Sequence, residues 1–182
     1  MAEQNKETFE QYNFKKIVTQ CPHCFTTLKN DYAEIGIELD VVHHSQYIDE
    51  LISEKKIEPK PYLDEDITFH DPCYLGRHNG EYDAPRKVLQ SVLKEGSITE
   101  MEQSKSDSFC CGAGGGNMWY EIKTGERINK HRVNQAVDTE AKTIAAACNF
   151  CNIMLEDGVK TTGNEENIRV VDIAEMVSKG LE

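Results

Sequence analysis

The sequence has few basic residues and no long apolar run. Its 20 Lys and Arg stand against 32 Asp and Glu, which gives a formal net charge of −12, and the basic residues form no extended cluster. A chain this acidic repels phosphate backbones and anionic headgroups, so we expect no nucleic-acid partner. The longest uncharged apolar stretch lies around residues 144–148, whereas a membrane-spanning helix needs about 20 residues. We therefore expect no direct membrane insertion by this segment.

An export signal is also missing from the first 20 residues, which contain neither a basic start nor an apolar centre. We therefore expect a cytoplasmic protein, and a longer form of it could still attach to the cytoplasmic face of a membrane. The cytosol keeps thiols reduced, which argues against disulfides between the seven cysteines. These cysteines need a different chemical explanation.

Apolar, β-branched runs alternate along the chain with stretches of helical period. This alternation is typical of β–α units on a largely parallel sheet. We predict an α/β fold of two related β–α units with mainly parallel strands and with the cysteine loops at the strand carboxyl ends. The predicted strands are 16–19, 38–43, 67–70, 98–102, 143–147 and 168–171. The predicted helices are 6–12, 24–35, 46–54, 85–94, 118–138, 151–160 and 173–179, with a bend or break in one of them at Gly125.

Two segments with a C-x-x-C motif repeat each other. KKIVTQCPHCFTTL aligns with KTIAAACNFCNIML at an offset of 127, and ELDVVHHSQYIDEL aligns with NIRVVDIAEMVSKG at an offset of 129. This duplication predicts that residues 1–58 are the incomplete last part of a first domain, that residues 59–66 are a linker, and that residues 67–182 are a complete second domain. Counterparts of the remaining cysteines would fall before Met1, so we expect the chain to be the carboxyl-terminal part of a longer protein.

Five cysteines follow a regular spacing. Cys73 is followed after 36 residues by Cys110 and Cys111, and after 36 more by Cys148 and Cys151. We expect each of these three groups to follow a strand, so that the thiols meet at one edge of the sheet. Soft thiolates favour an iron-sulfur cluster or zinc over hard cations, and the lack of histidine in the motif favours the iron-sulfur cluster.

The other C-x-x-C pair, Cys21 and Cys24, lacks the upstream cysteines that a complete set would have. Two explanations stay open: the pair consists of free thiols, or it forms half of a zinc site together with Cys148 and Cys151. A thioredoxin-like role for either C-x-x-C pair leaves the adjacent cysteines unexplained.

A glycine-rich segment, residues 112–116, follows the adjacent cysteines. Consecutive backbone N–H groups in such a loop can donate hydrogen bonds to cluster sulfur, so we predict that Gly112 and Gly114 help to bind the cofactor. A nucleotide-binding loop is the alternative, but Asn117 stands where a third glycine belongs, and the sequence has no Gly-Lys-Ser/Thr.

Several other residues lie close to the cysteines in the sequence. His70 and Asp71 precede Cys73. They could orient a ligand or carry a proton, or they could form a strand-end turn fixed by Pro72. Trp119 is expected to pack in the core, with shielding of the cluster from water as the alternative.

Three segments resemble the cysteine-rich CCG domain: HDPCYLGRHNGEYDAPR, FCCGAGGGNMW and ACNFCNIMLEDG. This domain occurs in a subunit of heterodisulfide reductase, in the iron-sulfur subunits of glycolate oxidase and lactate utilisation, and in iron-sulfur oxidoreductases linked to electron-transfer flavoprotein. The last group is the most similar, since CPHCF at residues 21–25 also resembles it. The resemblance spans nearly the whole chain.

The resemblance implies an iron-sulfur cluster held by the pattern C-x36-CC-x36-C-x2-C. In heterodisulfide reductases this is a non-cubane 4Fe-4S cluster that uses all five cysteines, and two such clusters cleave a disulfide. Here the first site lacks its upstream thiols and Asn149 stands where the family has proline, so we expect electron transfer through one cluster. The implied ligands are Cys73, Cys110, Cys111, Cys148 and Cys151.

We thus expect an iron-sulfur electron-transfer part of an oxidoreductase, heterodisulfide reductase-like or flavoprotein-linked, with no catalytic acid or base of its own. The implied partner is a flavoprotein or another redox subunit of a larger complex. Two other functions stay open: a zinc-stabilised structural or docking module, and a metal-free thiol-disulfide oxidoreductase.

Overall fold

The structure, a computed structural model, describes residues 1–120 and 125–182, and the protein has the predicted α/β fold with parallel strands. The strands are β1 (Ile17–Thr19), β2 (Val41–His43), β3 (Ile67–His70), β4 (Thr143–Ala146) and β5 (Arg169–Asp172). The α-helices are α1 (Ala2–Phe9), α2 (Pro22–Thr26), α3 (Tyr32–Glu34), α4 (His44–Ser53), α5 (Cys73–Gly76), α6 (Asp83–Gln90), α7 (Ile128–Val137), α8 (Asn149–Thr161) and α9 (Ile173–Gly180). Within these described ranges, every helix is too short or too polar to cross a membrane.

Two small parallel sheets organise the chain. β1 pairs with β2 in one sheet, and the other sheet has the order β3-β4-β5. All side chains of β3 and β4 are buried, as is typical of parallel strands covered on both faces. Because parallel neighbours end at the same edge, the loops after β3 and β4 lie side by side.

The strand predicted at 98–102 does not form. Ile98 makes a single parallel bridge with Ile67. Beyond this bridge the segment is rich in Glu, which is depleted in strands, and the pairing ends. The adjacent cysteines therefore follow a 3-10 turn, Lys105–Asp107, and the expectation that a strand leads to them is wrong.

The helix predicted at 118–138 is also wrong as a single helix. A 3-10 helix covers Gly114–Trp119, and α7 begins only at Ile128. Gly125, at which a break was expected, has a positive φ of 76° that a right-handed helix does not allow. Residues 121–124 of the predicted helix lie outside the described residues.

The two C-x-x-C segments have the same local fold. In each, a strand leads into a cysteine motif at the start of a helix, and the next strand and helix follow in parallel. Even the helix caps match: Ser45 N donates to the His43 ring at the start of α4, and Ala174 N donates to Asp172 at the start of α9. The two related β–α units predicted from the sequence repeat are therefore present.

A shared hydrophobic core joins the two units. Phe25 and Val41 belong to the same cluster of buried side chains as Phe69 and Ile173. The predicted linker 59–66 lies against the second unit through backbone bonds such as Leu63 N to Val92 O (3.1 Å). The division into domains at these boundaries stays a prediction. A second buried cluster, which includes residues of β4, α7 and α8, contains three of the cysteines.

Candidate metal centre

Two of the cysteine groups begin helices directly after neighbouring strands. Cys73 is the first residue of α5, which follows β3, and Cys148 is the N-cap of α8, which follows β4. Cys151 lies in the first turn of α8. Because β3 and β4 pair along their full lengths, these cysteines lie at the same edge of the sheet.

A buried group of potential ligand atoms lies at this edge. One ring nitrogen of His70 and the Sγ atoms of Cys111 and Cys151 all lie within 4.8 Å of one another. Within residues 1–120 and 125–182, no other set of three or more potential metal ligands of the His, Cys, Asp and Glu types lies this close. Burial lowers the pKa of His70, with the Cys111 thiol acting in the opposite direction. The ring is therefore neutral at physiological pH.

The thiols change one another's protonation. The thiols of Cys110 and Cys151 lower the pKa of Cys111 well below its usual value, against the effect of burial. Cys111 in turn raises the pKa of both neighbours. The thiol of Cys151 also lowers the pKa of Cys148. A thiolate at Cys111 would attract a metal cation.

Cys73 lies at the partly exposed rim of this group. Burial raises the pKa of its thiol, the nearby Cys111 and Cys148 raise it further, and Arg77 opposes them. Arg77 also donates a hydrogen bond to Ser108 O (2.7 Å), so it links the loops that carry the first and second cysteine groups. Of the five predicted thiols, only Cys111 and Cys151 belong to the closest group. Their role as ligands stays a prediction.

Cys110 is held by the glycine that follows the cysteine pair. Gly112 N donates a hydrogen bond to Cys110 Sγ (3.2 Å). Gly112 has φ +90°, and a Cβ atom there would lie 3.1 Å from Cβ of Ile128, so another residue fits poorly. The second predicted glycine, Gly114, begins the 3-10 helix, and its contact with a cofactor stays a prediction.

Asp71 ties the second cysteine loop to the end of β3. Its carboxylate accepts hydrogen bonds from Arg86 (2.8 and 2.9 Å) and from Lys105 N (2.7 Å), and its carbonyl accepts one from the Ser108 hydroxyl (3.2 Å). Burial alone would lower the pKa of Arg86, but hydrogen bonds to its two carboxylate partners raise it. Asp71 is therefore a structural anchor, which favours the turn over the proton-carrying role.

A buried arginine of α7, Arg132, lies behind His70. Its Nε–H donates to His70 Nδ1 (3.0 Å), and its other N–H groups bind Gln103 O (2.8 Å), Gln135 Oε1 (2.7 Å) and Ser108 Oγ (3.2 Å). Burial lowers the pKa of Arg132 to about 10, so it stays charged at neutral pH. Sequence reasoning missed it, because an arginine among polar helix residues usually faces solvent.

Cys21 and Cys24 lie outside the buried group. Cys21 is half-buried and Cys24 is exposed, and burial raises the pKa of Cys21 to about 11. The ring of His23 packs against Tyr74 (centroids 4.0 Å apart), which stacks on His78 (4.2 Å). In the described part of the chain, the two C-x-x-C pairs do not form a four-cysteine group at ligand distance.

The sequence predicts that Trp119 packs in the core, but this prediction is wrong, because the side chain is 83% exposed. It lines a surface cavity of about 320 Å³ together with Tyr120, Arg127 and Ile153. Trp119 is therefore available at the surface, a short distance along the chain from the adjacent cysteines.

A family model matches most of the chain. A family described as "Cysteine-rich domain" (CCG) matches residues 1–29 and 67–156. The chain belongs to this CCG family. The first matched segment includes the C-x-x-C pair Cys21 and Cys24, and the second includes all five cysteines of the regular spacing. The resemblance noted in the sequence is therefore confirmed.

Several named oxidoreductases are similar to the whole chain. It is 42% identical over 189 residues to the EtfAB:quinone oxidoreductase of Syntrophomonas wolfei, and 41% identical over 181 residues to the probable iron-sulfur-binding oxidoreductase FadF of Bacillus subtilis. It is 36% identical over 184 residues to a subunit of the dihydromethanophenazine:CoB–CoM heterodisulfide reductase of Methanosarcina barkeri. In each case all of this chain is covered, but only 26%, 26% and 44% of the relative. The chain thus spans about a quarter of the length of the first two relatives.

Proposed function

We propose that this CCG chain is the iron-sulfur electron-transfer module of a larger oxidoreductase. The observation that carries the proposal is the buried group of His70, Cys111 and Cys151, which brings cysteines of two loops together at the end of β3 and β4. The proposed ligands are Cys73, Cys110, Cys111, Cys148 and Cys151.

The donor set fits such a cofactor. Thiolates are soft ligands that hold iron-sulfur clusters, and three of the five cysteines are buried while two are partly exposed. A bound cluster would supply one-electron redox chemistry. The partly exposed side, with Cys73 and Cys110, is where an electron would enter or leave, because electron transfer requires a short distance to a partner.

The residues around the thiols would offset the negative charge that a thiolate-bound cluster carries. Gly112 N already donates to Cys110 Sγ (3.2 Å). Arg77 lowers the pKa of Cys73 against the effect of burial, and the buried charge of Arg132 lies behind His70. N–H groups and positive charges near cluster sulfur favour the reduced, more negative state.

The finer assignments are parts of the same proposal. The cluster is a 4Fe-4S cluster of the non-cubane kind that uses five cysteines. The electron donor is a flavoprotein or another redox subunit, in line with the name EtfAB:quinone oxidoreductase of one relative. The module works in the cytoplasm or at the cytoplasmic face of a membrane.

A series of Cys→Ser variants tests the ligand set. Each of the variants at Cys73, Cys110, Cys111, Cys148 and Cys151 should lose most of its iron and sulfide under anoxic purification, because a ligand has been removed. Cys24→Ser is the matched control, since Cys24 is exposed and lies outside the buried group, and it should keep a full cluster. Full iron and sulfide in both Cys110→Ser and Cys111→Ser would contradict the assignment, and stoichiometric zinc in their place would favour a structural module.

A further inference from the structure

His70 is a buried histidine between the thiols and a fixed charge. It is the last residue of β3 and is 1% exposed, and one of its ring nitrogens lies within 4.8 Å of the Sγ atoms of Cys111 and Cys151. On these distances alone, the ring could be a metal ligand or a hydrogen-bond donor to sulfur. The hydrogen bond that Arg132 donates to the ring distinguishes these two roles.

Arg132 determines which ring nitrogen carries the proton. A guanidinium only donates hydrogen bonds, so the bond from Arg132 Nε–H to His70 Nδ1 (3.0 Å) requires a lone pair on Nδ1. In a neutral imidazole the proton is then on Nε2. A protonated Nε2 has no lone pair for a metal, but it can donate to a thiolate or to cluster sulfur.

The position of Arg132 is itself tightly determined. The side chain has no solvent exposure, and its terminal nitrogens donate to Gln103 O, Gln135 Oε1 and Ser108 Oγ. With its N–H groups directed to these acceptors, the guanidinium cannot rotate away without leaving several buried groups unpaired. The tautomer of His70 is therefore imposed by α7 and by the loop that precedes the cysteine pair.

We infer that His70 is a positioning residue that directs its Nε2–H at the sulfurs of Cys111 and Cys151, and that Arg132 enforces this orientation. His70 is accordingly a hydrogen-bond donor to the metal centre and not one of its ligands. The inference rests on the proposed iron-sulfur function and deepens it. Because an N–H donor stabilises the more negative reduced state, the His70 and Arg132 pair makes the centre easier to reduce.

Pulsed electron paramagnetic resonance on the wild-type protein, reduced and anoxically purified, tests the role of His70 directly. Protein grown with 15N-histidine should show a weak nitrogen coupling of the hydrogen-bonded kind, which is lost in His70→Phe. A strong coupling typical of directly bound nitrogen would make His70 a ligand and overturn the inference. The absence of any histidine coupling in cluster-loaded protein would overturn it as well.

Redox titration of variants gives an independent readout. His70→Phe keeps a ring of similar size without the donor, and this variant should keep its iron and sulfide. The equilibrium constant for reduction of the cluster should fall about tenfold, which lowers the reduction potential by about 59 mV for a one-electron centre. Arg132→Gln should shift the potential in the same direction, since Nδ1 is then free to take the proton. His131→Phe is the control, because His131 is the exposed neighbour of Arg132, and its potential should not change.

The outcomes separate this inference from the proposed function. Wild-type protein that holds no iron and sulfide would refute both. Loaded wild-type protein with an unchanged potential in His70→Phe and Arg132→Gln would refute only the role of His70. If His70→Phe does not fold, the nitrogen coupling of the wild-type protein still decides.

Discussion

At the scale of single residues, neighbouring side chains at the end of β3 have different tasks. His70 faces the thiols and Arg132, whereas Asp71 pairs with Arg86 and anchors the next loop. The regular spacing of the cysteines predicts a shared site, and the structure brings two of them, Cys111 and Cys151, close together. The pairing of His70 with Arg132 could not be predicted, since 62 positions separate the two residues and their contact depends on where α7 lies in the fold.

Gly112→Ala should weaken both the fold and the binding of the cluster. The position has φ +90°, and the added Cβ would lie 3.1 Å from Cβ of Ile128 and 3.3 Å from Asn129 N. We expect a loss of about 1–3 kcal/mol in the free energy of unfolding, measured by urea denaturation, together with a lower iron content.

Gly163→Ala is the matched control for this substitution. Gly163 also has a positive φ of 72°, but no atom lies within 4 Å of the added Cβ. It should show part of the loss in stability from backbone strain and no loss of iron. Equal iron contents in the two variants would argue against a special role for the Gly112 loop.

His43 should make the protein sensitive to acid. Burial, together with the neighbouring His44, lowers the pKa of His43 from its usual 6.5 to about 3. The unfolded chain therefore binds a proton that the folded chain does not between these two values, so stability falls as the pH falls. The slope should be about 1.4 kcal/mol for each pH unit between these limits, measured as the free energy of unfolding.

A variant isolates this contribution. His43→Leu should have lower stability at pH 7, because the helix cap at Ser45 N and the bond to Gln20 O are lost, but it should have a shallower dependence on acid. His131→Leu, at an exposed position, should keep the wild-type slope. An unchanged slope in His43→Leu would show that His43 is not the group responsible.

At the scale of elements, the strands could be predicted more closely than the loops. β3 was predicted at its observed bounds and β4 to within one residue, because apolar runs of this kind are typical of buried parallel strands. The predictions of a strand at 98–102 and of one helix at 118–138 are wrong. The first segment forms a bridge of only one residue, and the second contains Gly125, which has a positive φ; both features depend on the surrounding structure. The sequence also does not reveal that hydrogen bonds to Asp71, and not a strand, position the loop before the adjacent cysteines.

The ion pair of Asp71 and Arg86 should therefore control the placement of the second cysteine loop. Arg86→Gln leaves the carboxylate of Asp71, which is 3% exposed, without its charged partner. We expect a loss of about 3–5 kcal/mol in the free energy of unfolding, because an unpaired buried charge remains. Iron content should fall as well, since Asp71 also binds Lys105 N ahead of the cysteine pair.

Arg169→Gln provides the comparison for this prediction. Arg169 pairs with Glu65, but its side chain is 56% exposed, and an exposed ion pair contributes about 1 kcal/mol or less. This variant should retain its iron and nearly all of its stability. Similar losses in both variants would mean that the Asp71 anchor has no special effect.

At the scale of the whole molecule, the two β–α units depend on one another. Buried side chains of both units belong to the same one of the two hydrophobic clusters, and the His23 and Tyr74 rings connect the first C-x-x-C helix to the helix that begins at Cys73. The sequence repeat predicted two related units but not this shared core. Periodicity describes each unit separately, whereas the packing between them depends on tertiary structure.

Phe25→Ala should therefore destabilise the whole chain. Phe25 is fully buried in the core that both units share. We therefore expect the free energy of unfolding to fall by about 3–5 kcal/mol in one cooperative transition, measured by urea denaturation with circular dichroism. Phe14→Ala, at a position 39% exposed, should cost clearly less. A separate, early transition of the first unit alone would contradict the shared core.

The central claim is that the cysteine group holds an iron-sulfur cluster. Its most direct test is the measurement of iron, acid-labile sulfide and zinc per chain in anoxically purified wild-type protein. A 4Fe-4S cluster predicts about four iron and about four sulfide ions per chain in a brown protein. Colourless protein with stoichiometric zinc and no sulfide would contradict the account.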